Sequence, residues 1–488
     1  MKLFSSSPRS VYYIILLGII LLGLTLRLYK IDNPIADWHS WRQADTAAVA
    51  RNFIKVGIDP QRPIYDDLSN VQSGKDNPKG YRMVEFPLYQ LTSVMFYKLF
   101  PRFSIEIWLR LISILSTLGS ILFLSLLVKK YIDEKTALLT GLVYAILPYS
   151  IYYGRTILPE VPAVFLAIFG IYCFDKSLEY IEKSRKKSIV FLLMSGIICA
   201  ASILVKPTSG FLLLPIIYLI INKFGSKSIT KITLYIFGMI VIIPFIVWRV
   251  WIQKFPEGIP ASEWLLNGGG IRFTGAFFRW IFAERMGKII LGYGGFVLFW
   301  LGVAIKPLKK EGLIFWSLLA GTFLYFIVFA RGNIQHDYYQ ILLIPAASVF
   351  VAKGLIFLLT LNNLLSRWIS KALAIALFLM MIAFSWFEVR GYYWINHPEI
   401  VEAGRIVDSL TPKDAKVIAP YDGDTAFLYQ TNRQGWPVTE KPMEEMVKMG
   451  ASFFVAVNPD KDVRHLKTEY KVIAETDKYI LLDLTKKP

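Results

Sequence analysis

A group of residues that can transfer protons and hold charge follows the first apolar segment of the chain. Residues 38–46 read WHSWRQADT and place His39, Arg42 and Asp45 beside two tryptophans. A carboxylate among cationic and aromatic side chains has surroundings that tune an acid for proton abstraction. We therefore predict that Asp45 is a catalytic base. The structural alternative is a helix N-cap, because a helical pattern follows over residues 46–55.

A second acid closes residues 152–160, which read YYGRTILPE and end at Glu160. Its structural explanation is a first-turn carboxylate that the helix dipole stabilises. Charged groups at membrane helices are costly, however, and they commonly mark a functional path. We predict that Glu160 is catalytic and orients an acceptor hydroxyl, or shares a divalent ion such as Mg²⁺ or Mn²⁺ with Asp45. No other cofactor is predicted.

Further cations and aromatic residues come from separate segments. Lys206 interrupts an apolar stretch before Pro207, and residues 336–339 read HDYY before another apolar stretch. A snorkelling lysine and an aromatic belt are the structural alternatives. Convergent cations would instead suit a phosphate held at the lipid headgroup level. The predicted substrate-binding residues are His39, Trp41, Arg42, Arg82, Glu85, Arg155, Lys206, Arg331, His336, Tyr338 and Tyr339.

The composition indicates that the bilayer is the solvent of this chain. Hydrophobic residues make up 55% and charged residues 18% of the 488 positions, and the mean hydropathy is +0.47. These values are typical of polytopic membrane proteins. The net charge of +18 is dispersed among apolar runs, which favours membrane lipids over nucleic acid as partners. Cys173 and Cys199 lie inside apolar runs and are predicted to be packing residues.

Apolar runs of spanning length predict about eleven transmembrane helices. They begin near residues 11, 105, 136, 160, 188, 207, 231, 288, 313, 338 and 371. No small-residue cleavage site follows the first run, so we expect an uncleaved helix with a cytosolic amino terminus. The lysine- and arginine-rich loops then all fall on the cytosolic side. The shorter run at residues 86–100 is predicted to form an interfacial helix.

The predicted fold class is an α-helical polytopic membrane protein with a small carboxyl-terminal extracytoplasmic α/β domain. Residues 1–392 form the membrane module, and residues 29–104 its long, charged first outer loop, which is predicted to be functional. Residues 393–488 form the α/β domain. Its predicted strands are residues 415–419, 452–457, 470–473 and 479–484, and its predicted helices are residues 399–409 and 442–449.

Two other site classes are disfavoured. The glycine-rich residues 292–295, GYGG, lie within an apolar run without the preceding strand that a dinucleotide-binding turn needs. The four histidines are scattered, without the HExxH pattern of a zinc hydrolase. Nucleotide and zinc chemistry are therefore not predicted.

The ordered motifs resemble those of polytopic C-type glycosyltransferases, the superfamily of dolichyl-phosphate-mannose protein mannosyltransferases and aminoarabinose transferases. The resemblance covers about residues 10–390. It is carried by Asp45, residues 85–89 (EFPLY), residues 155–160 (RTILPE), Lys206-Pro207, and residues 336–339 leading to Pro345. The resemblance implies that Asp45 is the catalytic base. Aminoarabinose transferases have a phosphate-contacting lysine where this chain has Phe86, so another cation must act here.

The resemblance implies transfer of a sugar from a polyprenyl-phosphate donor to an acceptor hydroxyl on a lipid, glycan or protein. The expected location is the extracytoplasmic face of a bacterial inner membrane, because nucleotide sugars are cytosolic and no nucleotide-binding motif is visible. A single displacement with Asp45 as base would invert the anomeric centre. The alternatives are a lipid-linked glycan flippase or transporter, and a polymerase or ligase that uses a diphosphate-linked glycan.

Overall fold

The computed structural model describes residues 8–361 and 366–488 of the chain. In this part, seven helices are long and apolar enough to cross a membrane, or eight if a pair bent by 116° forms one span. Each predicted apolar run coincides with a helix. The number of about eleven spans is nevertheless not confirmed, because Val11–Arg27 and Ile314–Val328 are shorter apolar helices and Glu134–Ile146 has 13 residues.

The chain divides into two units, of which the first contains the chain up to Ile31, Leu111–Val247 and Ser262–Gly391. The regular secondary structure described in this unit consists of helices. Its α-helices are Pro8–Arg27, Glu134–Ile146, Pro148–Tyr153, Glu160–Tyr180, Arg185–Val205, Leu214–Phe224, Trp264–Asn267, Gly275–Phe278, Gly294–Ala304, Ile314–Val328, Ala330–Gln335, Ile344–Thr360 and Arg367–Val389. Its 3₁₀ segments are Pro207–Leu213, Gly225–Thr230, Gly268–Gly270 and Asp337–Leu343, and Arg279–Ile290 is a π-helix.

The glycine-rich segment that follows the π-helix forms the bend of the broken apolar pair. Gly292 has φ +50° and Tyr293 has φ +55°, a left-handed conformation that glycine adopts at no steric cost. A side chain at Gly292 would also meet the Met381 carbonyl oxygen. The GYGG segment therefore serves as a helix break, in agreement with the sequence argument against a dinucleotide site.

The second unit contains Asp32–Arg110, Trp248–Ala261 and Tyr392–Pro488. Its helices are Ser40–Lys55, Leu88–Leu99, Pro398–Leu410, Thr425–Gln430, Met443–Lys448 and Lys461–His465, with 3₁₀ turns at Pro256–Gly258 and Leu466–Thr468. Ile105–Tyr131, Ile232–Ile252 and Arg390–Tyr393 contribute residues to both units. The strands are β1 (Lys416–Ile418), β2 (Gln434–Trp436), β3 (Ala451–Val457), β4 (Lys471–Glu475) and β5 (Tyr479–Asp483).

The sheet has the order β2-β1-β3-β5-β4. β1 pairs in parallel with β2 and β3, whereas β5 pairs antiparallel with β3 and β4. The four predicted strands correspond to β1, β3, β4 and β5. Strand β2 and helix Thr425–Gln430 were not predicted, because elements of three and six residues are too short to show a periodic pattern.

Residues of the first loop lie in the hydrophobic cores on both faces of this sheet. Ala36 packs in a cluster with Ile400 and Val417, and Leu68 packs in a cluster with Trp436. Burial of apolar surface is the main stabilising contribution to such a small domain. The tail, residues 393–488, thus shares its core with the first loop.

Helix Ser40–Lys55 begins earlier than the sequence predicts. Its N-cap is His39, with φ 54° in the left-handed region. The N-cap interpretation of Asp45 was therefore wrong, because Asp45 lies inside the helix. Buried residues occupy every side of this helix, so it lacks the apolar stripe that would have marked its start.

Candidate active site

Asp45 is held by two partners inside the second unit. Its side chain is buried, with Oδ2 2.9 Å from Arg82 Nη2. The hydroxyl of Thr425 donates a 2.7 Å hydrogen bond to Oδ1. A buried carboxylate needs such partners to stay charged. Because a carboxylate has about four lone-pair positions, Asp45 can still accept a hydrogen bond from a further donor.

Arg42 and Glu85 form a neighbouring ion pair, 2.5 Å between Nη2 and Oε1. Arg42 and Asp45 lie three residues apart on one helix and therefore share a face. Both ion pairs border a cavity of about 10 Å³. It is lined by Arg42, Asp45, Thr46, Val49, Pro63, Arg82, Glu85, Pro87 and Gln90. It has room for about one water molecule. The structure thus brings four predicted residues, Arg42, Asp45, Arg82 and Glu85, around one small polar cavity.

Two further carboxylates respond to the charge of Asp45. Burial raises the pKa of Asp67 to about 6; hydrogen bonds from Ser69 oppose this shift, and the charge of Asp45 adds to it. Burial also raises the pKa of Asp424 to about 6, again with a contribution from Asp45. The Tyr65 hydroxyl donates to Asp67 Oδ2 at 3.3 Å. The surroundings of Asp45 therefore contain acids that titrate near neutral pH.

Replacing Asp67 with asparagine is expected to stabilise the protein at about pH 8. The folded chain keeps the Asp67 proton between pH 3.8 and about 6, where the unfolded chain has released it, so this group's contribution to stability falls as pH rises through that window. Asp67→Asn should recover about 3 kcal/mol at pH 8. Thermal unfolding in detergent micelles should show a raised midpoint that converges with wild type below about pH 4.

Asp408→Asn provides a control of opposite sign. Burial raises the pKa of Asp408, but hydrogen bonds from Lys413, Arg433 and Asn432 outweigh it and hold the pKa at about 2. Loss of this charge should lower the unfolding midpoint at pH 8. If Asp67→Asn also lowered the unfolding midpoint at pH 8, burial of the ionised Asp67 carboxylate would not be destabilising the folded protein.

Glu160 and Lys206 form an ion pair within the first unit. Glu160 is the first residue of helix Glu160–Tyr180, which is the position expected from its structural explanation, and it is fully buried. Lys206 caps the end of helix Arg185–Val205 and places Nζ 2.7 Å from Glu160 Oε1. Glu160 Oε2 accepts no hydrogen bond from any described residue. An orphaned buried carboxylate oxygen is costly, which indicates a water or ligand partner.

Aromatic residues surround the same pair. Lys206 Nζ lies 5.8 Å from the centre of the Tyr339 ring, and His336 packs against Tyr338 and Tyr339. The snorkelling interpretation of Lys206 was wrong for this structure, because the amine is directed to Glu160 instead.

A further buried polar contact lies in the same unit, where Tyr153 donates to Asp337 Oδ1 at 2.7 Å. Tyr153 and Asp337 were not predicted to be site residues.

The other predicted residues have structural partners. Arg155 is buried and donates to the Lys30 carbonyl oxygen at 2.7 Å. Arg331 is partly exposed and lies against Gly268. The His39 ring contacts Trp38 edge-on at 5.2 Å, and the Trp41 carbonyl lies 3.3 Å from the Thr425 hydroxyl. Their roles in substrate binding stay predictions.

Among the described residues, no group of three or more His, Cys, Asp or Glu side chains is arranged to hold a metal ion. The suggested use of a divalent ion by Asp45 and Glu160 stays a prediction.

Comparison with known proteins finds a family match for part of the chain. Residues 85–251 match the family described as dolichyl-phosphate-mannose-protein mannosyltransferase. This segment includes Glu85, Arg155, Glu160 and Lys206. No match to the chain is found among curated proteins.

The fold is similar to those of proteins with solved structures. ArnT from Cupriavidus metallidurans, solved bound to undecaprenyl phosphate, has a TM-score of 0.64 at 14% identity, with 97% of each chain covered. The oligosaccharyltransferase AglB from Archaeoglobus fulgidus, solved with an inhibitory peptide and a dolichol-phosphate, has a TM-score of 0.59 at 11% identity. That match covers 95% of this chain and 73% of AglB. The resemblance predicted from sequence is thus confirmed.

Proposed function

Because the chain resembles the superfamily of dolichyl-phosphate-mannose protein mannosyltransferases and aminoarabinose transferases, we propose that it is a membrane glycosyltransferase with a polyprenyl-phosphate-linked sugar donor. The observation that supports this proposal most directly is the buried carboxylate of Asp45, which is paired with Arg82 beside a polar cavity. ArnT, whose fold this chain shares, was solved with undecaprenyl phosphate, which supports a carrier of this kind. The acceptor is a hydroxyl on a lipid, glycan or protein.

The proposed reaction is a single displacement. Asp45 takes the proton of the acceptor hydroxyl, whose oxygen attacks the anomeric carbon of the sugar. The bond from that carbon to the phosphate oxygen breaks, and the lipid phosphate leaves with the electron pair. Arginine and lysine side chains of the predicted set neutralise the charge gained by the phosphate. Phosphate is a good leaving group, so the reaction does not require a general acid.

The proposed roles of the remaining residues follow from their local contacts. Arg82 and Thr425 hold the Asp45 carboxylate in its orientation. Glu160, with one oxygen available beyond its Lys206 contact, orients the acceptor. We place the reaction at the extracytoplasmic face of a bacterial inner membrane, with a cytosolic amino terminus and an extracytoplasmic tail. Helices long and apolar enough to span a bilayer support membrane integration.

Donor specificity tests this proposal against its main alternatives. Purified protein in liposomes is incubated with a panel of radiolabelled undecaprenyl-monophosphate sugars and with diphosphate-linked glycans of the same sugars. A labelled glycosidic product from monophosphate donors alone is expected. Product from diphosphate donors alone would indicate a polymerase or ligase, and movement of label across the bilayer without a product would indicate a flippase.

Metal dependence is tested with the same assay. If Asp45 or Glu160 binds a divalent ion, EDTA abolishes transfer and Mg²⁺ or Mn²⁺ restores it. Unchanged transfer in EDTA would assign charge neutralisation to the arginine and lysine side chains alone.

A further inference from the structure

We infer that the carboxyl-terminal tail positions the catalytic carboxylate, and that Thr425 is the residue through which it acts. This inference rests on the proposed function, because it concerns the orientation of Asp45. Thr425 lies 380 positions along the chain from Asp45, yet its hydroxyl is 2.7 Å from Asp45 Oδ1. Both side chains are buried. The hydrogen bond is therefore shielded from bulk water.

The local structure of the tail fixes the Thr425 hydroxyl. Helix Thr425–Gln430 begins at Thr425, and the preceding Asp424 caps it by accepting from the Ala426 amide at 2.7 Å. The Thr425 hydroxyl has one proton to donate. Its two nearby acceptors are Asp45 Oδ1 at 2.7 Å and the Trp41 carbonyl at 3.3 Å. The shorter bond to a charged acceptor is the stronger one.

Helix Ser40–Lys55 is bound to the tail at its other end as well. The Arg51 guanidinium stacks 3.7 Å from the centre of the Tyr429 ring and donates to the Tyr429 carbonyl at 3.0 Å. Lys55 donates to the Asn432 carbonyl at 2.9 Å. These contacts lie beyond Asp45 along the helix, whereas Thr425 contacts its first turns. The helix is thus restrained against rotation about its own axis on both sides of Asp45.

The first loop also extends the tail sheet at its β2 edge. Asp67 forms a parallel bridge with Gly435. The Leu68 amide donates to the Gly435 carbonyl at 2.8 Å, and the Gly435 amide donates to the Asp66 carbonyl at 2.9 Å. Edge strands need such cover, because their open backbone groups otherwise remain unpaired. The loop bearing Asp67 and, further on, Arg82 is therefore anchored to the same sheet whose β1–β2 connection carries Thr425.

These restraints explain what a hydroxyl at Thr425 contributes to catalysis. With Oδ2 at Arg82 and Oδ1 at Thr425, both oxygens of Asp45 are fixed in direction. Without the Thr425 hydroxyl, rotation about the carboxylate bond is limited by Arg82 alone. A base that points in the wrong direction lowers the rate of the chemical step even when it is ionised, because proton transfer needs close alignment of donor and acceptor. Thr425 is thus a positioning residue.

The test uses the full-length protein and the undecaprenyl-monophosphate sugar that gives the highest wild-type rate. Thr425→Val keeps the shape but removes the hydroxyl, and should lower kcat by about 10- to 100-fold with little change in KM for the donor. Thr425→Ser should restore most of kcat. Thr431→Val is the matched control, because Thr431 is buried at the end of the same helix and its hydroxyl donates only to the Leu428 carbonyl at 2.7 Å. It should retain wild-type kcat.

A second measurement needs no substrate. Carbodiimide labelling of Asp45, followed by peptide mass spectrometry, should be faster in Thr425→Val than in wild type and Thr431→Val. Wild-type kcat and labelling in Thr425→Val would overturn the positioning role while leaving the proposed function intact. If wild type transferred no sugar from any monophosphate donor, the proposed function would fail, and labelling alone would decide whether Thr425 restrains Asp45.

Discussion

Asp45→Asn is expected to lower sugar transfer by about 100- to 10,000-fold, the usual contribution of a general base. Asparagine keeps the shape of the side chain and an acceptor for the Thr425 hydroxyl, but it cannot take a proton from the acceptor substrate. Binding of undecaprenyl phosphate should be preserved, because that interaction does not require the base. Transfer is measured with radiolabelled donor in liposomes, and lipid binding by native mass spectrometry.

The control separates catalysis from loss of an ion pair. Asp45→Asn leaves Arg82 without its carboxylate, and an unpaired buried charge is itself destabilising. Arg433 is also buried and pairs with Asp408 in the same unit, 2.6 Å between Nη1 and Oδ1. Asp408→Asn should therefore also lower stability but retain turnover in the folded fraction. Activity of folded Asp45→Asn at the level of wild type and folded Asp408→Asn would exclude Asp45 as the base.

Glu160→Gln is expected to lower transfer by about 10- to 100-fold, because the acceptor would lose its orienting carboxylate. The same change leaves the Lys206 ammonium beside a neutral amide. Breaking such a buried pair costs about 3–5 kcal/mol, so lower activity alone would be ambiguous. The double variant Glu160→Gln/Lys206→Met removes the unpaired charge. It should regain stability without regaining transfer, as measured by thermal unfolding and by the labelled-donor assay.

Glu311 and Lys353 provide a matched comparison within the same unit. They form a buried pair with the same 2.7 Å separation between Nζ and Oε1. Glu311→Gln should lower the unfolding midpoint as Glu160→Gln does, while transfer per folded molecule stays at the wild-type level. Recovery of transfer in the Glu160/Lys206 double variant would instead reduce Glu160 to a structural role at a helix start.

Local spacing made part of the site predictable. Arg42 and Asp45 come from one short charged segment, and Arg82 and Glu85 come from the same charged loop. The sequence did not predict that Arg42 and Asp45 share a helix face, because the predicted helix began only after Asp45. Strands β3 and β5 are long enough to show a strand pattern. These features involve residues that are close together along the chain, so the sequence alone can indicate them.

The remaining features depend on contacts between distant segments. The pairing of Thr425 with Asp45 spans 380 positions, and a threonine after a capping aspartate predicts only a helix start. Glu160 and Lys206 were each predicted to be site residues, but no pattern indicated that they pair. The sequence did not indicate that Asp67 is a buried acid near Asp45. Its burial arises from the bridge to Gly435, a tertiary contact that leaves no local sequence pattern.

The anomeric configuration of the product tests the central claim most directly. A single displacement with Asp45 as base proceeds by attack opposite the departing lipid phosphate, so the sugar must be inverted at its anomeric carbon. Nuclear magnetic resonance of the purified product, compared with a donor of known configuration, should show this inversion. A product with the donor's configuration would contradict the account, because retention requires a covalent glycosyl-enzyme intermediate or another mechanism.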